Sequence, residues 1–294
     1  MEINNLNIKN LNNNKTVSSK FINIHNDKLN MTSSSLKTNF YLDSFNYFPI
    51  TEDFFSFQEI FSWGDISKYK NFYSRKFIKD FIKHKPEFKS ISNAFVLGSS
   101  SFNNYYTNII TFLPRIFFNN DKKIKLAIHR NSSNLFRNFI KKICEEMNIE
   151  MNFIYLDDQY YKFINSQIPE FLDLQNSVKI LNTLKSTYKI KNGKKIYIQR
   201  KNCNFRNLIN DFDLAEKLEK LGFLIVDLEQ ISILDQIELF ATSEVIVGAT
   251  GSGLANIVFC NEGVKIFEIS PKYKKLYDDN FRDRYFNICK YLSL

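Results

Sequence analysis

The sequence is poor in histidine and cysteine, two residue types that serve as bases, nucleophiles and metal ligands. It has three histidines among 294 residues, at His25, His84 and His129. Its four cysteines are far apart and lack the spacing of a metal site, which favours a reduced, intracellular protein. The four are Cys144, Cys203, Cys260 and Cys289.

Long apolar runs are also missing from the chain. No stretch reaches the roughly 18 apolar residues of a membrane-spanning helix. The N-terminus, MEINNLNIKN, has no basic segment followed by an apolar core. The sequence therefore predicts neither a transmembrane helix nor a recognisable signal peptide, and the expected location is cytoplasmic.

The length of the chain predicts more than one domain. With 294 residues it exceeds the usual domain size of about 100 to 200 residues, so we expect two domains and a tail. Its hydrophobic content of 44% and its 30 phenylalanines are enough for two cores. Phe, Ile, Asn and Lys dominate the composition, a bias that would follow from an AT-rich genome and needs no functional explanation.

The chain is basic, with a net charge of +9. This charge allows attraction to nucleic acid, to anionic lipid headgroups or to a phosphorylated substrate. The lysines occur in short pairs without one long basic block, so a solvated surface explains most of them. No RNA- or DNA-binding module is present, and we expect no nucleic-acid partner.

Residues 1–45 are rich in Asn and Ser without a sustained period, which predicts a flexible lead-in. Strand and helix patterns then alternate in a first domain over residues 46–190 and a second over residues 191–294. Such alternation predicts parallel sheets that bind ligands at the carboxyl ends of their strands. The predicted strands are 94–98, 123–128, 151–156, 195–199, 223–226, 245–247 and 264–269, and the predicted helices are 104–117, 131–147, 173–189, 212–221, 233–241, 254–259 and 282–292.

The most informative stretch is Glu244 to Ile269, which has the pattern strand, glycine turn, short helix, strand. Gly248, Gly251 and Gly253 let a backbone approach a ligand closely, and a helix N-terminus directs unpaired N–H groups at an anion. The stretch therefore favours a phosphate-binding loop. An ordinary strand-to-helix turn explains the spacing equally well, and the spacing is not that of a dinucleotide fingerprint.

Two segments resemble a known family. The motif IYIQRKNCNFRNLIND at Ile196 to Asp211, followed by GATGSGLANIVF and VKIFEISP, resembles glycosyltransferase family 61. These are sugar-nucleotide-dependent enzymes of capsular polysaccharide biosynthesis and of eukaryotic xylosyl and N-acetylglucosaminyl transfer. The segment NYYTNIITFLPR, at Asn104 to Arg115, is similar to the family's Asn-Tyr-Tyr-His segment ending in Pro-Arg. Thr107 and Thr250 stand where the family has histidine.

The resemblance implies a GT-B fold, in which two Rossmann-like domains flank a cleft. It implies an inverting hexosyl- or pentosyltransferase that moves a sugar from a nucleotide-diphosphate donor to a glycan or lipid-linked glycan acceptor during surface polysaccharide biosynthesis. The first domain would take the acceptor and the second the donor. The nucleotide sugar would be a co-substrate, with no further cofactor, and the charge allows peripheral contact with the inner face of a membrane.

The resemblance also implies the site residues. Arginine guanidinium binds phosphate bidentately, and loop N–H groups add donors. Surface ion pairs explain the same arginines equally well. The donor-binding candidates are Arg200, Lys201, Arg206, Thr250, Gly251, Ser252, Gly253, Asn256 and Glu268, with Glu268 accepting hydrogen bonds from sugar or ribose hydroxyls. The candidates on the acceptor or cleft side are Asn104, Thr107 and Arg115.

The sequence Asp211-Phe212-Asp213 has the Asp-x-Asp pattern of metal-dependent transferases. It lies where a helix should begin, and acidic residues at a helix cap and first turn explain it more simply. We therefore predict no obligatory metal, with arginine side chains and the helix dipole neutralising the leaving diphosphate.

The general base for an inverting transfer is left unassigned. A base of this kind is usually a carboxylate or a histidine, and threonine cannot replace it at neutral pH. Asp157 and Asp158 follow a predicted strand and are candidates, although solvated loop carboxylates explain them better. Because Thr107 and Thr250 replace histidines, a second hypothesis stays open: a catalytically silent GT-B protein that binds a glycan or a partner enzyme.

Overall fold

The chain forms two compact units in the computed structural model. The first comprises Met1–Asn103, Thr111–Ser133 and Ile140–Leu172, and the second comprises Asn104–Ile110, Asn134–Phe139 and Asp173–Leu294. The structure describes residues 7–9, 17–22, 31–52, 55–57, 83–84, 87–98, 101–119, 121–184, 193–201, 208–271 and 283–292.

The first unit contains a mixed eight-stranded sheet and a separate parallel pair. The pair is β1 (Asn7–Lys9) with β5 (Phe55–Phe57). The large sheet is formed by β2 (Val17–Ile22), β3 (Met31–Asp43), β4 (Phe48–Thr51), β6 (Lys89–Ser92), β7 (Ala94–Val96), β8 (Lys123–His129), β9 (Glu150–Leu156) and β10 (Tyr160–Pro169). Its main order is β2-β3-β10-β7-β8-β9, with β4 beside β3 and β6 beside β10.

The predicted parallel arrangement is confirmed for β7, β8 and β9. The antiparallel part was not predicted. Strand β3 lies within the predicted flexible lead-in, yet it pairs with β10 along most of its length, and Phe40 and Leu42 are fully buried. The strand is stabilised by a partner more than 100 residues away, which local composition cannot show.

The helices alternate with these strands and those of the second unit. In chain order they are α1 (Tyr105–Thr107), a π turn (Asn108–Phe112) and a 3-10 helix (Leu113–Phe118), α2 (Asn134–Glu146), α3 (Leu174–Thr183), α4 (Asp211–Lys220), a 3-10 helix (Leu228–Gln230), α5 (Ile233–Ala241), a 3-10 helix (Ser252–Phe259) and α6 (Arg284–Leu292). Helix α5 shows how the sequence determines a helix. Ser232 caps it by accepting a hydrogen bond from the Asp235 N–H, and its buried face consists of Ile233, Ile237 and Phe240.

The second unit is built on a four-stranded parallel sheet. Its strands are β11 (Lys194–Ile198), β12 (Leu224–Val226), β13 (Ser243–Ala249) and β14 (Lys265–Ile269), in the order β12-β11-β13-β14. The chain thus goes from β11 to one neighbour and then crosses to the other side. This reversal creates a topological switch point at the carboxyl ends of β11 and β13, where open α/β sheets bind ligands.

The outcome for the second unit is close to the prediction. All four strands and helices α4 and α5 lie within two residues of the predicted ranges. The helix after the glycine turn is a 3-10 helix from Ser252 to Phe259. Fold class α/β is confirmed, with a mixed sheet in the first unit and a parallel sheet in the second.

Candidate functional site

A cavity of about 170 Å³ lies at the carboxyl edge of the second unit's sheet. Its walls come from the segments that follow β11, β12 and β13, and they meet at the switch point of the sheet. The lining residues that carry polar groups are Tyr105, Gln199, Arg200, Lys201, Asp227, Glu229, Gln236 and Ser252. This cavity contains most of the predicted donor-binding residues.

Arg200 lies against the glycine loop. Its Nη1 donates to the carbonyl oxygen of Thr250 at 3.0 Å. A Cβ atom at Gly251 would lie 3.1 Å from the Arg200 Cζ atom. Gly251 is extended, with φ of −178°, so its backbone conformation does not call for glycine. A side chain at this position would instead displace the Arg200 guanidinium by a few tenths of an ångström.

The other two glycines of the loop also serve close packing. A Cβ atom at Gly248 would lie 3.2 Å from Ile198 Cβ, and one at Gly253 would lie 2.8 Å from Leu228 Cδ1. Both neighbours are side chains of the second unit itself. At Gly248 and Gly253, close packing within the second unit therefore explains why the residue is glycine, without the predicted close approach to a ligand.

The N-terminus of the Ser252–Phe259 helix opens on the cavity, where Ser252 and Gly253 form part of the wall. The first N–H groups of a helix have no intrahelical partners and carry partial positive charge. Thr250 contacts Arg200 through its backbone carbonyl oxygen. The Thr250 side chain is buried, and its N–H donates to the carbonyl oxygen of Ile269 at 2.9 Å. Lys201 is exposed at the rim of the same cavity.

The C-terminal helix holds the loop from the other side. The hydroxyl of Tyr285, near the start of α6, donates to the carbonyl oxygen of Gly251. The Arg284 guanidinium lies 4.6 Å from the Tyr285 ring centroid and 5.4 Å from that of Tyr106. This cation and aromatic cluster fixes the Tyr285 ring, and through it the loop carbonyl.

Asn256 was predicted to contact the donor, and the structure places it behind the cavity wall. It is fully buried, and its Oδ1 accepts from the Tyr105 hydroxyl at 2.7 Å. Its Nδ2 donates to Gln236 Oε1 at 2.6 Å, and Gln236 donates in turn to the Leu228 carbonyl. Burial raises the pKa of Tyr105, which stays a neutral donor. Asn256 therefore acts through Tyr105 and Gln236, which do line the cavity.

Glu268 is not brought together with the Arg200 cavity. It lies on β14 beside Gly248 of β13 and lines a different cavity with Tyr285, Phe286 and Cys289. The carboxylates that do line the Arg200 cavity are Asp227 and Glu229. The sequence reasoning missed both, although Asp227 directly follows a predicted strand. Arg206 lies outside the described residues.

The structure places Arg115, a predicted cleft-side residue, in the interior of the first unit. This residue is fully buried in the first unit, where it donates to the carbonyl oxygens of Gly98, Pro169 and Glu170 at 2.6 to 3.0 Å. Its guanidinium carbon lies 3.7 Å from the Phe171 ring centroid. Burial lowers the pKa of Arg115 from its usual value. These contacts leave Arg115 inaccessible to an acceptor and give it a structural role.

Asn104 and Thr107 belong to the second unit, and their observed bonds are local. Asn104 caps α1 by accepting from the Thr107 N–H at 3.2 Å. The Asp211-Phe212-Asp213 sequence is placed as predicted, in the first turn of α4, although Asn210 is the cap residue. Asp211 also accepts a hydrogen bond from the Tyr197 hydroxyl. This bond and burial raise the pKa of Tyr197.

The two candidate bases of the first unit differ in their partners. Arg130 donates to both carboxylate oxygens of Asp157, and this lowers the pKa of Asp157. Asp158 Oδ1 lies 2.7 Å from Nε2 of His129. Since His129 Nδ1 accepts the N–H of Asn131 at 3.1 Å, Nε2 carries the proton and donates to Asp158.

His129 is held firmly and was missed by sequence reasoning. It is buried at the carboxyl end of β8, and its ring stacks on Phe102 with centroids 3.5 Å apart. Asp158 follows the adjacent strand β9. The carboxyl ends of adjacent parallel strands lie at the same edge of a sheet. This rule could have predicted that His129 and Asp158 lie close together.

A parallel α/β unit with a cavity at its switch point that is lined by an arginine and a glycine loop is typical of nucleotide-binding proteins. The family model described as Glycosyltransferase 61 matches residues 64–267, more than half of the chain, and the chain belongs to glycosyltransferase family 61. No curated protein sequence matches it. The family supports a glycosyltransferase, with a nucleotide sugar as donor and a glycan as acceptor. Among the described helices, none has the length and apolarity to cross a bilayer.

Proposed function

We propose that this chain transfers a hexosyl or pentosyl group from a nucleotide-diphosphate sugar to a glycan or lipid-linked glycan in surface polysaccharide biosynthesis. The observation that carries the proposal is Arg200 resting on the Thr250–Gly251 loop in a cavity at the switch point. The second unit holds the donor and the first takes the acceptor, as in a GT-B enzyme. The protein works in the cytoplasm, and its charge of +9 allows peripheral contact with the inner membrane face.

The donor diphosphate is bound by fixed positive groups. Arg200 offers a permanently charged fork for phosphate oxygens, and Lys201 adds charge at the rim. The N-terminus of the Ser252–Phe259 helix supplies backbone N–H groups and the Ser252 hydroxyl. Together these groups neutralise charge on the leaving diphosphate, so the proposed transfer requires no metal ion.

The proposed general base is Asp158. Asp157 is engaged by Arg130, whereas Asp158 is oriented by His129 and its side chain is 53% exposed. The acceptor hydroxyl gives its proton to Asp158 while its oxygen bonds to the anomeric carbon. The bond from that carbon to the donor phosphate oxygen breaks, and the nucleoside diphosphate leaves with the electron pair. Attack from the opposite face inverts the anomeric configuration.

A transfer assay tests this proposal. The full chain is incubated with nucleotide sugars and glycan acceptors, with and without EDTA, and the product's anomeric configuration is read by NMR. Inverted product that forms in EDTA is the expected result. The competing hypothesis is a silent glycan- or partner-binding protein, which Thr107 and Thr250 motivate. Nucleotide binding without transfer to any acceptor would favour that hypothesis, whereas retained configuration would contradict the inverting mechanism.

A further inference from the structure

Two carboxylates share the cavity with Arg200. Asp227 directly follows β12, and Glu229 lies two residues further on, in the short 3-10 helix Leu228–Gln230. Both line the same cavity as Arg200, Gly251 and Ser252. A phosphate site gains nothing from carboxylates, which repel the phosphate charge. The presence of Asp227 and Glu229 therefore indicates that the ligand carries hydrogen-bond donors in addition to phosphate.

Asp227 is held in place by its own segment. Its Oδ1 accepts from the Glu229 N–H at 3.1 Å and so caps the Leu228–Gln230 helix. The side chain is half-buried, and this bond limits its rotation. Within the part of the chain that the structure describes, neither Asp227 nor Glu229 forms an ion pair. Two carboxylates in a cavity wall, without an ion-pair partner among the described residues, are strong acceptors for hydroxyl donors.

The order of the strands separates the two kinds of group. Arg200 and the glycine loop follow β11 and β13, whereas Asp227 follows β12 on the far side of β11. Neighbouring strands lie about 4.8 Å apart, so the carboxylates lie roughly one strand spacing beyond the arginine. A ligand that meets both needs phosphate at one end and hydroxyl donors a few ångströms away.

We propose that Asp227, with Glu229 beside it, accepts hydrogen bonds from a vicinal diol of the nucleotide-sugar donor. One carboxylate can accept from two adjacent hydroxyls. The donor offers such a diol on its ribose and on its transferred sugar. The proposal rests on the proposed function, and it replaces Glu268, which lines a different cavity, as the hydroxyl-binding carboxylate.

The test is a calorimetric titration of the full chain with UDP, 2′-deoxy-UDP and UDP-glucose. GDP, 2′-deoxy-GDP and GDP-mannose are used instead if guanine is the base bound. The variant is Asp227→Asn, because the amide oxygen still accepts from the Glu229 N–H and keeps the helix cap. The matched control is Asp173→Asn: Asp173 caps α3 in the same unit by accepting from Asn176 N–H at 2.7 Å, and it does not line the cavity. Glu268→Gln tests the residue that the sequence favoured.

Asp227→Asn should weaken nucleotide-sugar binding about tenfold, and Asp173→Asn and Glu268→Gln should leave it unchanged. If the bound diol is that of the ribose, the wild type binds 2′-deoxy-UDP more weakly than UDP, and Asp227→Asn removes that difference. If the bound diol is that of the transferred sugar, the variant instead removes the difference between UDP-glucose and UDP.

Wild-type affinity of Asp227→Asn for all three ligands overturns the proposal, and so does an equal loss in Asp173→Asn. These results leave the proposed function intact as long as Arg200→Ala still weakens binding. Failure of the wild type to bind any nucleotide overturns both proposals together.

Discussion

The guanidinium of Arg200 and the carbonyl oxygen of Thr250 are joined by a 3.0 Å hydrogen bond across the switch point of the second unit's sheet. One residue follows β11 and the other follows β13. The bond therefore holds Arg200, which is proposed to bind the diphosphate, against the glycine loop. That loop supplies the other proposed hydrogen-bond donors to the diphosphate. Each prediction below concerns a group that sets this geometry or the chemistry proposed around it.

Gly251→Ala should weaken nucleotide binding about tenfold. The new Cβ would lie 3.1 Å from Arg200 Cζ and would push the guanidinium off the loop. Because φ at this position is extended, the substitution adds no backbone strain, and we expect a stability loss below about 1 kcal/mol. Calorimetry and urea denaturation measure the two effects.

Gly263→Ala is the matched control for that loop variant. Gly263 has φ of +86° and no atoms near the site of a new Cβ. The substitution should cost about 1 to 2 kcal/mol of stability because a non-glycine residue is strained there, and nucleotide affinity should not change. If both alanine variants lose affinity equally, the contact between Gly251 and Arg200 is not the cause.

Tyr285→Phe should reduce both stability and nucleotide affinity. The substitution removes one of the two hydrogen bonds that the Gly251 carbonyl accepts, the other being from the Leu254 N–H, at a cost of about 0.5 to 1.5 kcal/mol. The freed loop should also bind nucleotide several-fold more weakly. Tyr291→Phe, at an exposed position of the same helix, should change neither. An unchanged affinity in Tyr285→Phe would show that α6 does not position the loop.

Asp158→Asn should lower kcat by about 100-fold to 10,000-fold, the range for loss of a general base. Nucleotide affinity should stay the same, because Asp158 does not line the donor cavity. Asp157→Asn is the neighbouring control, and its kcat should stay within a few-fold of wild type. Equal kcat in the two variants would remove Asp158 as the base.

Arg115→Met should destabilise the protein by about 3 kcal/mol or more, because each buried carbonyl oxygen left without a donor costs about 1 to 3 kcal/mol. Three carbonyl oxygens, of Gly98, Pro169 and Glu170, lose their donor. The nucleotide affinity of the folded fraction should be unchanged. Arg130→Met, which removes an exposed ion pair, should cost less than about 1 kcal/mol. If the Arg115→Met variant were as stable as wild type but no longer used the glycan acceptor, the acceptor-side role that the sequence predicted for Arg115 would be supported instead.

Local sequence patterns predicted what local interactions determine. The strands β11 and β13 are short apolar runs, and helix α5 has a capping serine and an apolar face, so periodicity was sufficient. Strand β3 was missed because its Asn- and Ser-rich sequence is stabilised by pairing with the distant β10. Non-local pairing leaves no trace in composition.

The site was predicted unevenly for a related reason. Arg200 and the glycine loop were found because a charged residue after a strand and a glycine cluster are visible in the chain. Asp227, the proposed hydroxyl acceptor, was not singled out because its place near Arg200 depends on strand order, which puts β12 beside β11 and β14 beyond β13. Arg115 was assigned to a cleft because a buried arginine and an exposed one look the same in sequence.

The most direct measurement of the donor site is a calorimetric titration of the purified chain with UDP, GDP and CMP, beside Arg200→Ala. We expect one nucleotide to bind and Arg200→Ala to weaken its binding tenfold or more, which is about 1.4 kcal/mol. Equal binding by Arg200→Ala and wild type, or no binding of any of the three nucleotides by wild type, would contradict the assignment of this cavity to the donor.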